Sequence, residues 1–411
     1  MYDNPLRVPA NSVNLVVMTR SPVAEKAKRF TESVIREMTR LAARYGAINL
    51  SQGYPDFAAP EALKEAACRA ITSDINQYAI TWGAKPLRDA LCRKVATYNG
   101  IQADPEKNVT VTCGATEAMI STMSAIINPG DEAVIFEPYY ENYGPDVILS
   151  GATPRFVPLR PPDWSFDEKE LAKAFNKRTK AIIINTPNNP TGKVFTRAEL
   201  ETIAALCRKW NTLAVTDEVY EHIIYEGKHV SMAVLDGMAE RTVTTSSLSK
   251  TFCITGWRLG YAIAPEGITS AIRKMHDFLT VGAPHPLQVA AAHLMDHPDG
   301  LFENLSREYL ERRELFYPVL VEAGFKPIAK PAGAYYVMCD ISGFGFRTDT
   351  EFARWLVEKG GVATVPGSSF YSDPRDGYGQ VRFAFCKKLE TLRAAADKLR
   401  ALPRPPARKK K

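Results

Sequence analysis

Thr244-Thr245-Ser246-Ser247-Leu248-Ser249-Lys250-Thr251-Phe252-Cys253-Ile254-Thr255-Gly256-Trp257-Arg258-Leu259-Gly260 is the stretch from which the rest of the chain can be read. The β-branched run at 241–245 predicts a strand leading in. A small-residue turn, 246–249, then delivers one lysine, and glycines 256 and 260 frame Trp257 and Arg258. Lysine is ordinarily a solvated surface charge. Lys250 instead ends a strand, is ringed by hydroxyls and has a second cation eight positions on. Nearby cations favour loss of its proton near neutral pH, which a Schiff-base lysine requires. Ser247 and Arg258 suit a phosphate group, the arginine as a planar fork. A Schiff-base lysine beside a phosphate site points to pyridoxal phosphate (PLP).

The bulk composition fits that reading. A chain of 411 residues is too large for one small core, and a large domain with a smaller one is expected. Hydrophobic residues at 45% and charged residues at 24% are ordinary for a globular protein. The net charge of +6 is mild, and no basic stripe is interleaved with aromatics, so nucleic acid is not an expected partner. The basic run at 404–411 reads as a solubilising tail. Seven cysteines include no CxxC pair and six histidines no HExxH, so buried free thiols and no metal are expected. The first 20 residues do not read as a secretory signal, and no apolar run approaches a membrane span. The expected location is cytoplasmic, with no membrane partner.

In chain order, residues 1 to about 20 read as an arm. Residues 33–44 place Val34, Ile35, Met38, Leu41 and Ala42 on one helical face. Gly53 lies in a turn after a short strand, either a plain turn or a place where backbone approaches a ligand. Helices follow at 60–72 and 86–98, with Tyr78 in the loop between them. The strand 109–112 runs through a glycine turn into a helix that opens at Ala115 and Thr116, placing bare N–H groups and a positive dipole end together. The strand 132–136 is followed by Tyr140, which serves either packing or stacking on a planar ring. A strand 153–157 and a helix 166–175, capped by Ser165, come next. The strand 180–185 is apolar on both faces, as a central parallel strand is, and ends in a loop that two prolines and a glycine constrain around Asn189. A helix at 198–209 leads to a strand 213–220 that ends in acid; a buried carboxylate there needs a cationic partner, and a pyridinium nitrogen would serve. Strand ends thus collect the chemistry, as open α/β sheets do. The expected fold class is α/β, a mostly parallel sheet sandwiched by helices, with a smaller α+β domain. The expected divisions are 1–60 (arm and part of the small domain), 61–299 (large domain), 300–403 (small domain) and 404–411 (tail). A long helix at about 300–324 should bridge the two domains.

Taken together, Ser-Leu-Ser-Lys…Gly-Trp-Arg-Leu-Gly, Pro-Asn-Asn-Pro-Thr-Gly and Asp-Glu-Val-Tyr resemble the class I/II, fold type I PLP-dependent aminotransferases over about residues 30–400. Gln-Gly-Tyr-Pro-Asp-Phe at 52–57 and Asp-Glu-Val-Tyr-Glu-His at 217–222 look most like the kynurenine/glutamine/methionine branch, some members of which cleave cysteine S-conjugates. The resemblance implies that Lys250 is the Schiff-base lysine and proton shuttle, and that Asp217 pairs with the pyridine nitrogen. It implies that Asn189 and Tyr220 bond the phenolic oxygen and that Tyr140 stacks on the ring. The amides of Ala115 and Thr116, with Ser247 and Arg258, would hold the phosphate. Tyr78 would reach the phosphate of a neighbouring subunit, making the protein a homodimer with sites at the interface. Arg382 would clamp the substrate carboxylate, with Gly53 and Asn189 beside it.

The function so implied moves the α-amino group of an L-amino acid to a 2-oxo acid. An aromatic, glutamine-like or methionine-like side chain is expected. No second arginine can be assigned to a side-chain carboxylate, so strict aspartate preference is not supported. A cysteine S-conjugate β-lyase, cyclase or oxidase on the same scaffold is the alternative. A non-catalytic PLP-binding regulator would need a fused DNA-binding module, for which 411 residues leave no room.

Overall fold

Strand Thr179–Asn185 carries Ile182 and Ile184 into one apolar cluster and Ala181 and Ile183 into another. Successive side chains of a strand point to opposite faces, so this strand must be covered on both. In the computed structural model, which describes residues 21–298 and 300–402, it lies within a seven-stranded sheet. The spatial order is Val109–Thr112, Gly260–Ile263, Thr242–Ser247, Leu213–Asp217, Thr179–Asn185, Glu132–Glu137, Thr153–Pro158. Only Gly260–Ile263 runs against its neighbours. One face is covered by helices Ala115–Ile126, Tyr143–Leu149 and Glu266–Thr280, through Met119, Met123, Val147 and Ile272. The other is covered by Arg197–Trp210 and Glu168–Ala174, through Leu171, Leu200, Ile203 and Cys207. The parallel strands therefore deliver their carboxyl ends to one edge.

A second sheet is antiparallel, in the order Val365–Pro366, Gln380–Ala384, Tyr336–Asp340, Lys326–Pro327. Helices Leu301–Glu322 and Leu389–Arg400 close its core through Phe316, Leu320, Leu392 and Leu399 around Phe325, Phe352 and Phe383. A short parallel pair joins Ile48–Asn49 to Val362–Ala363. Among the described residues, 21–31 group apart from the compact unit that begins at Glu32, with Glu25–Lys28 forming a 3-10 turn. Among the described residues, no helix is long and apolar enough to cross a membrane. The arm at 1–20 and the tail at 404–411 lie outside the described residues.

Several boundaries differ from the sequence reading, each for a local reason. The strand expected over 213–220 ends at Asp217, because Glu221 N donates to Glu218 O and turns the chain. Ser246 and Ser247 stay in their strand, and Lys250 rides instead on the single helical turn Leu248–Thr251. The helix expected from 166 starts at Glu168. Its cap is Asp167, whose carboxylate accepts from Lys169 N and Glu170 N, while Ser165 is drawn into a turn with Asp163. Residues 362–366 make two strands in different sheets, with Thr364 between them. Strand Gly260–Ile263 was not anticipated. All seven cysteines are free, but Cys68 is exposed and Cys92, Cys113 and Cys253 are half-buried, so uniform burial does not hold.

Candidate active site

The serine-rich end of strand Thr242–Ser247 aims Lys250. Ser247 Oγ accepts from Ser249 N at 3.1 Å, capping the helical turn that carries the lysine. Lys250 Nζ donates to Gly53 O at 2.9 Å, and Tyr335 Oη donates to the same carbonyl at 3.0 Å. Only glycine fits at 53, where a Cβ would lie 1.9 Å from Tyr336 Oη. Burial lowers the Lys250 ammonium to about 8; Cys386 and Asp217 oppose this, while Arg382 and Arg258 reinforce it.

Asp217 stands at the carboxyl end of strand Leu213–Asp217 and is buried. Its Oδ2 accepts from Tyr143 Oη at 2.6 Å and its Oδ1 from Val219 N at 3.3 Å. Burial still pushes this carboxyl above its ordinary range, against those hydrogen bonds and the charge of Lys250. Tyr220, two residues into the turn, places its Oη 2.9 Å from Tyr336 Oη, and the Lys250 ammonium lies 5.8 Å from its ring centre.

Arg382 comes from the second sheet and is buried. Its Nη1 donates to Asn189 Oδ1 at 2.7 Å, its Nη2 to Ser51 O, and its guanidinium sits 4.3 Å from the centre of the Tyr336 ring. Asn189 is fixed in turn by its own N–H on Asn185 Oδ1 at 2.7 Å, and Asn185 Nδ2 donates to Asp217 O at 2.9 Å. Arg382 and Asp217 are thus joined through two asparagines, Asn189 and Asn185.

At another corner, Arg258 Nη2 donates to Cys113 O at 3.1 Å, beside the start of helix Ala115–Ile126. Gly114 there has φ of 86°, and a Cβ on it would come 2.2 Å from Arg258 Nη2. The first N–H groups of that helix, at Ala115 and Thr116, have no carbonyl within the helix to receive them. Tyr140 is half-buried, its ring set edge-on to Tyr143 at 5.8 Å. Tyr78 is 81% exposed and, among the described residues, makes no side-chain hydrogen bond to this group.

The geometry adds residues that the sequence reading left out: Tyr143 on Asp217, Tyr335 and Tyr336 around Gly53, and Ser249. The Tyr335-Tyr336 pair leading into strand Tyr336–Asp340 was the one available signal; the two ring centres lie 4.9 Å apart and both side chains meet Gly53. Within this group of residues, Ser249 Oγ and Arg382 Nε are buried without a partner. Unsatisfied donors beside a raised carboxyl, a lowered lysine and a helix start fit an anionic group with a protonated ring.

Comparison with known proteins agrees. The pattern of the family "Aminotransferase class I and II" matches residues 45–399. The chain is 35% identical to the methionine aminotransferase of Escherichia coli (strain K12), covering 94% of this chain and 100% of that protein. It is 36% identical to kynurenine–oxoglutarate transaminase 1 of Homo sapiens, covering 89% and 94%. The solved N-succinyldiaminopimelate aminotransferase from Mycobacterium tuberculosis superposes with a TM-score of 0.89 at 38% identity, over 93% of this chain and 100% of that one.

Proposed function

The chain belongs to the aminotransferase class I and II family, and from that premise we propose that the constellation around Lys250 holds PLP and carries out transamination. It is a transaminase of amino acid and 2-oxo acid substrates, and the family implies dependence on PLP. The observation that carries the site assignment is the half-buried Lys250, held 2.9 Å from Gly53 O and lowered to about 8. PLP bound there supplies a carbonyl that condenses with amines and a ring that withdraws electrons from the substrate Cα.

The chain's own groups do the rest. Asp217, set by Tyr143 and Val219 N, is the partner for a protonated ring nitrogen; its raised carboxyl is relieved by that cation. Asn189 and Tyr220 hold the ring oxygen, and Tyr140 covers the ring face. Ser247, Arg258 and the amides of Ala115 and Thr116 hold the phosphate, with the hydroxyl of Ser249 free to join them. Arg382 presents a fork whose Nε is unpaired, and with Gly53 and Asn189 it orients the substrate carboxylate. Lys250 Nζ, partly neutral near pH 7–8, would take the proton from the substrate Cα and deliver it to the carbon on the far side of the substrate nitrogen.

The aromatic rings of Tyr140, Tyr335 and Tyr336 beside Lys250 and Arg382 support an aromatic, glutamine-like or methionine-like substrate. The methionine and kynurenine activities of the two named relatives support the same class. We read the protein as a homodimer. Phe278 is 92% exposed beside Leu279, Val281 and Ile80, and the loop with Tyr78 is bonded to this helix end through Thr81 and Asp277. A second copy would cover that apolar surface and receive Tyr78 at its phosphate corner.

One experiment tests both parts. PLP-loaded protein is sized by sedimentation, then its visible spectrum is followed with single amino acids and no oxo acid. A dimer whose visible band is lost as stoichiometric oxo acid forms is expected, fastest for methionine, glutamine or aromatic substrates. A monomer overturns the dimer. A persistent band with ammonia release overturns the transaminase assignment.

A further inference from the structure

Behind the turn that follows Asp217 lies a cluster of buried charges that the reaction does not use. Glu218 Oε2 accepts from Ser231 Oγ at 2.6 Å and from Asn99 Nδ2 at 3.3 Å, and lies 2.7 Å from His229 Nε2; its Oε1 accepts from Thr216 Oγ1 at 2.9 Å. Glu221 Oε2 accepts from Asn99 Nδ2 at 2.7 Å. Its Oε1 accepts from Ser246 Oγ at 3.0 Å and lies 2.5 Å from Lys94 Nζ. The ligand atoms of Glu218, Glu221 and His229 fall within 4.8 Å of one another, a spacing that suits a cation. The chain supplies that cation itself as the Lys94 ammonium, whose side chain is 8% exposed and which also reaches Asn99 Oδ1 at 3.0 Å.

The placement of this cluster is what gives it a role. Three of its members are bonded in sequence to residues of the site: Glu218 to Asp217, Glu221 to Tyr220, and Ser246 to Ser247. Ser246 and Ser247 lie in one strand, where consecutive side chains point to opposite sides, and Glu218 and Glu221 belong to the turn that carries Tyr220. Glu218, Glu221 and Ser246 give their side chains to the network, while their neighbours Asp217, Tyr220 and Ser247 face the site. Ser246 Oγ also lies 3.3 Å from Glu218 O, joining the ends of two neighbouring strands. A buried ion pair of this kind adds little net stability over an apolar pair of the same shape, so its retention calls for another explanation.

We propose that the network of Lys94, Glu221, Asn99, Glu218 and His229 is a positioning device that sets Asp217, Tyr220 and Ser247 from behind, an inference that rests on the cofactor site proposed above. It acts through those residues and touches no substrate.

The test uses the PLP-loaded, full-length protein and compares wild type with Glu221→Gln, Ser246→Ala and the paired apolar variant Lys94→Met/Glu221→Leu. Three quantities are measured: the pH midpoint of the visible band, kcat and KM, and Tm. Displacing reacting groups by an ångström costs about 100-fold in rate, so Glu221→Gln should lower kcat about 10–100-fold with little change in KM. Its band midpoint should move as well. Ser246→Ala, which deletes one hydroxyl and keeps the fold, should move the same quantities in the same direction by less. The paired variant, free of a lone buried charge, should recover Tm without recovering kcat or the midpoint. A paired variant with wild-type kcat and midpoint would show a structural role alone and overturn the proposal, as would wild-type values in both single variants. Absence of the band in wild type would instead overturn the cofactor site.

Discussion

Asp217 and Glu221 sit four residues apart, 8% and 3% exposed, and yet their carboxyls shift in opposite net directions. Burial penalises the charge of both. In Glu221 that penalty is outweighed by the Lys94 ammonium and by His222 and His229, and the carboxyl falls to about 2. In Asp217 the Tyr143 hydroxyl, one backbone amide and the charge of Lys250 do not suffice, and the carboxyl rises. The difference is whether the chain has supplied a close cation. Behind the turn the charges are matched within the fold. In front of it a raised carboxyl, a guanidinium nitrogen and a serine hydroxyl are left incomplete, whereas behind it the groups without partners are two imidazole nitrogens, of His222 and His229, and the carboxylate charges are matched.

The most direct way to break the comparison is to remove the lysine cation that acts on Asp217. Lys250→Ala deletes both the Schiff-base amine and the proton carrier, and turnover should fall by at least about 10⁴-fold, since acid–base catalysis alone contributes about 10²–10⁴. Steady-state kinetics with saturating PLP checks it. Retention of more than a hundredth of wild-type turnover would remove Lys250 from the mechanism.

A smaller change should come from crowding the same face. In Gly53→Ala the new methyl would meet Tyr336 at Oη and at Cζ, 1.9 and 2.7 Å away. Tyr336 cannot yield without disturbing Tyr220, 2.9 Å from it, or the stacked Arg382. Overpacking of this kind costs about 1–3 kcal/mol, so kcat/KM should fall about 10–100-fold. The loss should appear mostly in KM, because Arg382 is the proposed carboxylate clamp. A wild-type KM would show that Gly53 is a turn residue and nothing more.

Much of this front was legible in the sequence because its residues stand in short runs at strand ends, where chemistry and chain order coincide. Lys250, Ser247 and Arg258 occupy one such run, and Asp217 and Tyr220 another. The parallel sheet was legible from the doubly apolar strand Thr179–Asn185. Three kinds of feature were not. Strand Gly260–Ile263 is short, begins on a glycine and runs antiparallel, so the strand–helix alternation did not announce it. Helix and strand ends were set by competition among polar groups, as when Asp167 rather than Ser165 took the cap. The network behind the turn joins Lys94 to Glu221 and Asn99 to Glu218, separations of more than a hundred residues that no periodicity reports. Tyr143 escaped for the same reason, since its hydroxyl finds Asp217 only through the packing of helix Tyr143–Leu149 on the sheet.

The two histidines of the rear network offer the finest test, because they should bend the stability of the protein in opposite directions. His222 is wedged between the rings of Tyr98 at 4.2 Å and Phe302 at 4.4 Å, and its Nε2 has no partner. Burial, with the charges of Lys94 and His229 and against that of Glu221, lowers it from 6.5 to about 3. The unfolded chain then holds the extra proton, and stability contributed by a neutral His222 is lost as pH falls from about 6.5 toward 3. His229 is raised instead: burial disfavours its proton, but the charge and hydrogen bond of Glu218 and the charge of Glu221 outweigh burial and Lys94. Its contribution is complete below about 6.5 and is lost as pH rises through its higher folded value. His222→Phe, which keeps the stack, should flatten the acid arm of a plot of Tm against pH. His229→Gln should flatten the alkaline arm and lower Tm most on the acid side. Each change should amount to a few degrees at most, so the slopes between pH 5 and 9 decide the matter rather than any single Tm. Parallel curves for wild type and both variants would mean that neither imidazole changes its proton affinity on folding, and the back of the turn would then be matched by packing rather than by charge.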